Sequence, residues 1–561
     1  MAKAKKSSTD KQTDFGAYIW RGGQKVAIEK EGDRFTVIPS TPEALERLRN
    51  APGVRDIKPV TNQVFKVETT MTERDAAMAA VRSEAFNTIA HHAYRPKGTE
   101  GTVFYMTDKI IVRFDAKASA AQIDKLLEKY GLKLLKDYEG QANTYLMQVT
   151  SSSGENPIKV ANRLAEEKLV VSAEPNMVNR FQAAFVPPDG YFRRQWHLSA
   201  KNAPQLVAEA SVNAPAAWDI TRGERSIVVA VIDDGFDLSH PDFKGQGKIV
   251  SPKDYVDGDA KPFPESSAGD YHGTPCAGVA IAESNGRGVV GVAHGCAFMP
   301  VRFPLAADDD LLIEIFEETA RHADVISCSW GPPPVFAPIS SALSETFKRL
   351  AKGGGPRGKG CVICFAAANF NAPVNDPVNA AGFMWLDYGS GALRKTTGPI
   401  INGLAAHPDV IAVAASTSLN KHSAYSNWGA EISVCAPSDN FHPLHPQQFV
   451  PGRSIWTTDN EAFGEGFTAH SRYTGQFGGT SSATPLTAGV AALVLSANPK
   501  LSAADVKGIL QATADKIVDT DPDIVLGTNR GKYDSKGRCD WFGFGKVNAA
   551  KAVAEAKKRG Q

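Results

Sequence analysis

Three short stretches of this chain carry residue types that could together perform acyl transfer. The stretch "VVAVIDDGFDLSHPDF" ends an apolar run in Asp233-Asp234-Gly235. In "DYHGTPCAGVAIAESNGRGVVGVA", His272 precedes Gly-Thr and a run of small residues. In "GQFGGTSSATPLTAGVAALVLSA", Ser481 and Ser482 lie between a glycine pair and an apolar run. A serine hydroxyl is a poor nucleophile until a base takes its proton. Histidine serves as that base, and a carboxylate behind the imidazole fixes its tautomer. Singly, each stretch has a plainer account. Asp-Gly closes a turn, most histidines are neither bases nor ligands, and a serine before a helix caps it.

The elements around these residues point to one kind of scaffold. From about residue 200, continuous apolar strands ("SIVVAVID", "DVISCSW", "GCVICFAAA", "DVIAVAAS") alternate with helical stretches. Such runs belong to parallel strands covered on both faces, so residues 200–561 are expected to form a doubly wound α/β domain with its chemistry at the strand ends. Upstream, residues 106–182 read β-α-β-β-α-β, the ferredoxin-like order. Ser119 caps the first helix of that unit and Gly131 stops it. Residues 18–105 read as a smaller α+β unit, with a hairpin expected about "EGD" in "KVAIEKEGDRFTVI". The Pro-bearing stretch 183–199 reads as a linker and processing region, and residues 1–17 as a disordered tail.

Composition narrows the class. The chain has 561 residues, 42% of them hydrophobic, and a formal net charge of +1. That balance gives no reason to expect nucleic acid or anionic lipid as a partner. No apolar run is expected to reach the roughly 18 residues of a membrane helix. The polar N-terminus has no apolar core of a secretory signal, which predicts a cytoplasmic protein. The seven cysteines all lie from residue 276 onward. Their odd count argues against a disulfide framework. Cys361 and Cys364 of "CVIC" fall on opposite sides of a strand, so they are expected in the core rather than on a metal.

Taken together, the three motifs resemble the subtilisin-like serine protease superfamily, leaning towards its kexin-like and bacterial calcium-dependent members. Strand-Asp-x-Gly, His-Gly-Thr-x-x-Ala-Gly and Gly-Thr-Ser-x-Ala-x-Pro occur in the family's order, with supporting segments from residue 186 to 555. The resemblance implies a serine endopeptidase with Asp233, His272 and Ser481 as its triad. It assigns Asn369, at the end of "CFAAAN", to the oxyanion hole, although relatives usually carry glycine where this chain has Ala368. Ser482 receives no role.

The resemblance implies further sites. Substrate would add as a strand against "SCSWG": Ser327, Cys328, Ser329, Trp330 and Gly331. Asp376 could wall a pocket for a basic residue before the cut. Calcium would be held by Asp242, Asn285 and the carbonyls of Glu283, Arg287 and Val289, a hard oxygen set, with Asp189 as an added candidate. The ferredoxin-like unit resembles an inhibitory prodomain, released by self-cleavage between Arg180 and Arg194. The expected partners are therefore protein or peptide substrates and the chain's own prodomain, with the protein a monomer. Cys276, four residues beyond His272, predicts thiol sensitivity. A catalytically silent peptide-binding scaffold is the alternative. An α/β-hydrolase esterase would need Gly-x-Ser-x-Gly and the order Ser, Asp, His, and neither occurs.

Overall fold

The computed structural model describes residues 14–83, 88–98, 103–178, 185–462 and 465–560. It divides into two units, Met1–Ala183 and Ala184–Gln561.

In the first unit, β1 (Tyr18–Arg21) turns at Gly22-Gly23 into β2 (Gln24–Pro39). Both turn glycines have positive φ, the hairpin geometry that glycine adopts without steric cost. α1 (Pro42–Leu48), β3 (Asp56–Pro59), β4 (Phe65–Glu68), α2 (Arg74–Val81) and β5 (Thr88–Pro96) follow. The second half repeats this order with β6 (Phe104–Phe114), α3 (Ala120–Tyr130), β7 (Leu132–Asp137), β8 (Thr144–Val149), α4 (Pro157–Leu164) and β9 (Val170–Val178). The first half pairs in the order β3-β4-β2-β5, and the second pairs β7 with β8 and β6 with both β8 and β9. Each half is thus ferredoxin-like. The register pairs Ala93–Tyr105 and Tyr94–Phe104 join them into one antiparallel sheet of nine strands.

Two expectations for this unit are corrected. "EGD" is not a hairpin turn: β2 runs through it, and a register shift between Lys30 and Phe35 absorbs the irregularity as a bulge. Residues 1–13 of the expected tail lie outside the described residues, but 14–17 form a turn held by a hydrogen bond from Asn162 Nδ2 to the Phe15 carbonyl (2.7 Å).

The second unit opens with α5 (Ala214–Trp218), β10 (Val228–Asp233), β11 (Lys253–Asp254), α6 (Gly273–Ile281), β12 (Ala297–Arg302), α7 (Asp309–His322) and β13 (Val325–Cys328). β14 (Phe336–Ala337), α8 (Ser341–Gly353), β15 (Val362–Ala366), β16 (Asn375–Asp376), β17 (Phe383–Asp387), β18 (Ala392–Thr396) and β19 (Ile400–Asn402) follow. β20 (Ile411–Ser416), β21 (Ile432–Pro437), β22 (Ile455–Thr458), β23 (Tyr473–Phe477), α9 (Gly479–Ala497), α10 (Ala503–Thr513) and α11 (Ala549–Gly560) complete it. Seven strands form a sheet in the order β11-β12-β10-β13-β15-β20-β21, every pairing parallel. Successive strand residues face two cores. Val229 and Val231 pack with α6 and α9, whereas Ala230 and Ile232 pack with α7 and α8. Cys364 and Cys361 divide between these cores in the same way, and all seven cysteines are free and buried.

The linker reading of 183–199 is corrected from Phe185 onward. Phe192, Trp196 and Leu198 belong to the core on the α9 side, and Phe185 packs on Trp218. Gln195 exchanges both side-chain hydrogen bonds with the Val290 backbone (2.8 and 2.9 Å). Buried aromatic area outweighs the prolines and charges that gave this stretch its loop-like look. Residues 183 and 184 and the expected cleavage limit Arg180 lie outside the described residues. α9 also corrects the expectation of no long apolar run: it has the length and hydropathy to cross a membrane, but 89% of it is buried in the core.

Candidate active site

Asp233 is the last residue of β10, and His272 directly precedes α6. Their side chains meet with His272 Nδ1 2.9 Å from Asp233 Oδ1. Asp233 is wholly buried, so its charge acts at low dielectric. Burial alone would lower the His272 imidazole, but Asp233 and its hydrogen bond outweigh that and hold it well above the ordinary value. This stabilises the imidazolium. Asp234 does the positioning. Its carboxylate accepts from the backbone N–H groups of Tyr271 (3.0 Å), His272 (2.9 Å) and Gly273 (2.7 Å), the free donors of the α6 N-terminus. The Cys276 thiol lies 3.7 Å from His272 Nδ1 and donates to the Ser481 carbonyl at 3.6 Å. Burial pushes that thiol up to about 11.

Ser481 is the third residue of α9, and its hydroxyl donates to the Ser329 carbonyl at 3.3 Å. The turn before it needs its glycines. A Cβ on Gly478 would fall 1.9 Å from the Asp439 carboxyl carbon, and Gly479 has φ +70°. Asn369 follows β15, and its Oδ1 accepts from both the Thr480 N–H and the Thr480 hydroxyl at 2.8 Å. Two donors on Oδ1 fix which way the amide faces, leaving Nδ2 a donor with no acceptor among the described residues.

Sequence reasoning missed the support beneath this turn. Ser482 is buried and donates to Ser438 Oγ (2.8 Å), which donates to the Gly479 carbonyl (2.7 Å). Tyr425 OH and the Gly479 N–H both reach Asp439 Oδ1 at 2.8 Å. Ser482 therefore belongs to a network that holds the nucleophile turn from behind. The signal lay in its being a second hydroxyl in a buried helix, where it must find a partner.

The substrate-strand expectation splits. Ser327 and Cys328 sit in β13 with both edges paired, to β10 and to β15. They have no free edge to offer a peptide, which corrects their assignment. Ser329, Trp330 and Gly331 lie past the strand end. Trp330 Nε1 is spent on the Ile232 carbonyl (2.8 Å), while the Gly331 backbone has no hydrogen bond among the described residues. Asp376 Oδ1 closes a turn by accepting from Val378 (3.0 Å) and Asn379 (2.9 Å) N–H groups.

The calcium candidates come together. Asp242 Oδ1 accepts from Asn285 Nδ2 at 2.9 Å, while Asp242 Oδ2 is buried with no hydrogen-bond partner among the described residues. Burial pushes the Asp242 carboxyl up to about 7. The carbonyls of Glu283, Arg287 and Val289 accept no hydrogen bond among the described residues. An orphaned buried carboxylate oxygen fits a hard cation, while Asn285 Oδ1 accepts from the Arg287 N–H at 2.9 Å. The Glu283 carboxylate is engaged elsewhere, with Arg225 and with Lys248 at 3.7 Å. Asp189 clasps the same loop through Ser284 Oγ (2.8 Å) and the N–H groups of Asn285 (3.0 Å) and Gly286 (3.1 Å).

Comparison with known proteins gives a consistent result. The subtilase family model matches residues 224–545, and the model of the fervidolysin N-terminal prodomain matches residues 94–176. The calcium-dependent protease of Trichormus variabilis is 35% identical over 470 residues, covering 80% of this chain and 63% of that protein. The calcium-dependent protease of a Nostoc species is 34% identical over 469 residues, with the same coverages of 80% and 63%. The chain thus spans under two thirds of these relatives' length. The fold is shared with a serine protease of Aeromonas sobria solved in complex with a chaperone. Its TM-score is 0.53 at 21% identity, over 67% of this chain and 68% of that one.

Proposed function

Because the chain belongs to the subtilase family, we propose that it is a serine endopeptidase that hydrolyses peptide bonds through an acyl-enzyme. His272 takes the Ser481 hydroxyl proton as Oγ attacks the scissile carbonyl, then gives it to the leaving amine. Asp233 holds the imidazole tautomer and stabilises its charged form. The tetrahedral oxyanion is stabilised by Asn369 Nδ2 and the Ser481 N–H, preorganised donors at a helix start. The reading rests chiefly on the 2.9 Å contact between His272 Nδ1 and the buried Asp233. A fluorophosphonate should label the parent at Ser481 and leave Ser481→Ala unlabelled. Equal labelling of both would remove Ser481 as nucleophile, and no labelling of either would favour the silent peptide-binding scaffold.

The first unit acts as an inhibitory prodomain removed by self-cleavage. The scissile bond lies on the N-terminal side of Phe185, because Phe192 and Trp196 are core residues of the second unit and Asp189 clasps its calcium loop. Ser481→Ala should leave an intact chain. Calcium would be held by Asp242, Asn285 and the carbonyls of Glu283, Arg287 and Val289, and when bound it supplies the charge that balances the Asp242 carboxylate. Peptide substrate pairs with the free backbone at Gly331. Preference for a basic residue before the cut would rest on Asp376 Oδ2, and cleavage profiling of a peptide library, with and without chelator, tests both points.

A further inference from the structure

The hairpin β17–β18 lies between Asn369 and β19, and Tyr388 at its tip reaches back to Asn369. Ala368, just before Asn369, has φ +84°. A Cβ in this region meets backbone atoms, so a non-glycine residue there is strained and persists only where its surroundings over-determine it. On one side the Ala368 carbonyl accepts from the Asn427 N–H (3.0 Å), while Asn427 Oδ1 accepts from the N–H groups of Phe370 (2.9 Å) and Ala372 (3.0 Å).

The hairpin supplies the other side. Tyr388, at its tip, directs its hydroxyl at the Asn369 carbonyl (3.0 Å) and the Pro443 carbonyl (3.1 Å). The Phe370 ring stacks on Tyr388 and meets Trp385 edge-on, each at 5.6 Å. The foot of the hairpin is tied too: Trp385 Nε1 donates to Thr396 Oγ1 (3.0 Å), which donates to the Pro334 carbonyl (2.5 Å).

We propose that the β17–β18 hairpin is a strut and Tyr388 a positioning residue, which together hold the strained Ala368–Asn369 segment so that Asn369 Nδ2 faces the reacting carbonyl. This rests on the oxyanion reading of Asn369. Glycine at 368 would make the strut unnecessary, because glycine accepts positive φ freely.

The test compares Y388F, A368G and the double variant, measured for kcat and KM on the best library peptide and for the urea midpoint. Y388F should lose roughly threefold to tenfold in kcat, the rate equivalent of one hydrogen bond, with KM little changed. A368G should keep the parent kcat, with a urea midpoint no lower than the parent's. In the double variant kcat should recover to within about twofold of A368G. Y388F should lower the urea midpoint less in the A368G background than in the parent, since less strain is left to restrain. Y388F as fast as the parent, a double variant as slow as Y388F, or an A368G midpoint below the parent's would each overturn the proposal. N369A is measured alongside. If it keeps the parent kcat, the oxyanion reading fails, while the urea midpoints still decide whether Tyr388 restrains Ala368.

Discussion

Asn369 joins two bonds that can be broken separately. Its Nδ2 is the donor assigned to the oxyanion, and its Oδ1 accepts two 2.8 Å hydrogen bonds from Thr480, a wholly buried residue. Asn369→Leu removes both functions. Losing one oxyanion donor costs about 2.7–4 kcal/mol of transition-state stabilisation, or 10²–10³ in kcat. Losing the Oδ1 acceptor also leaves the Thr480 N–H and hydroxyl unsatisfied, at about 1–3 kcal/mol each in folding stability. Asn369→Asp keeps an acceptor for Thr480 but replaces the donor with a second negative oxygen. It should lose at least as much kcat as the leucine variant and clearly less stability. Steady-state kinetics on one peptide, with urea unfolding of the same preparations, separates the two effects. An Asn369→Leu enzyme within tenfold of the parent kcat would refute the oxyanion assignment. Equal stability loss in the two variants would refute the role given to Thr480.

Other consequences are simpler to read. Asp234→Asn alters an acceptor of three N–H groups at the start of α6, a carboxyl that burial and the neighbouring Asp233 push up to about 7. It should cost about 1–3 kcal/mol in stability, as one acceptor oxygen becomes an amide nitrogen, and lower kcat more than it raises KM. A mercurial should inactivate the parent and spare Cys276→Ala, since the thiol touches His272 and the Ser481 carbonyl; full activity of the Cys276-modified parent would count against this. Chelator should lower the melting temperature of the parent and not that of Asp242→Asn. His422 is buried and stacked on Trp541, and burial pushes it down to about 3. A neutral buried histidine contributes stability above its unfolded value near 6.5, which is lost as pH falls towards 3. His422→Phe should therefore flatten the slope of stability against pH by about 1.4 kcal/mol per unit near pH 5. An unchanged slope would contradict that burial.

The sequence carried the strand ends well because parallel buried strands have a plain signature. "VVAVID" and "CVICFAAA" are uninterrupted apolar runs, and the residues after them had to lie at the same edge of the sheet. It carried less where pattern and packing diverge. Gly32 within "EGD" looked like a turn, yet a bulge can absorb such a residue while both flanks keep pairing. Phe185, Phe192 and Trp196 were hidden among prolines and arginines, because a buried aromatic outside a regular element has no period. Ser327 and Cys328 belonged to a motif that suggested an edge, but an edge is a property of neighbours far away in sequence, here on β10 and β15. Asp234 and Ser482 act through backbone groups and through Ser438, and such partners leave no trace in spacing.

β6 serves both halves of the first unit, and this bears on where the chain can be divided. One small core there combines Ile19, Ile28 and Tyr94 of the first half with Met106, Ile158 and Met177 of the second. The stretch matched by the prodomain model, 94–176, takes only part of that core. A fragment cut at those limits would carry away Tyr94, Met106 and Ile158 without the isoleucines that cover them, and would leave Met177 behind. The stretch matched by the prodomain model and the unit that packs together are different lengths of chain, and a fragment meant to keep this core would need to begin before β1.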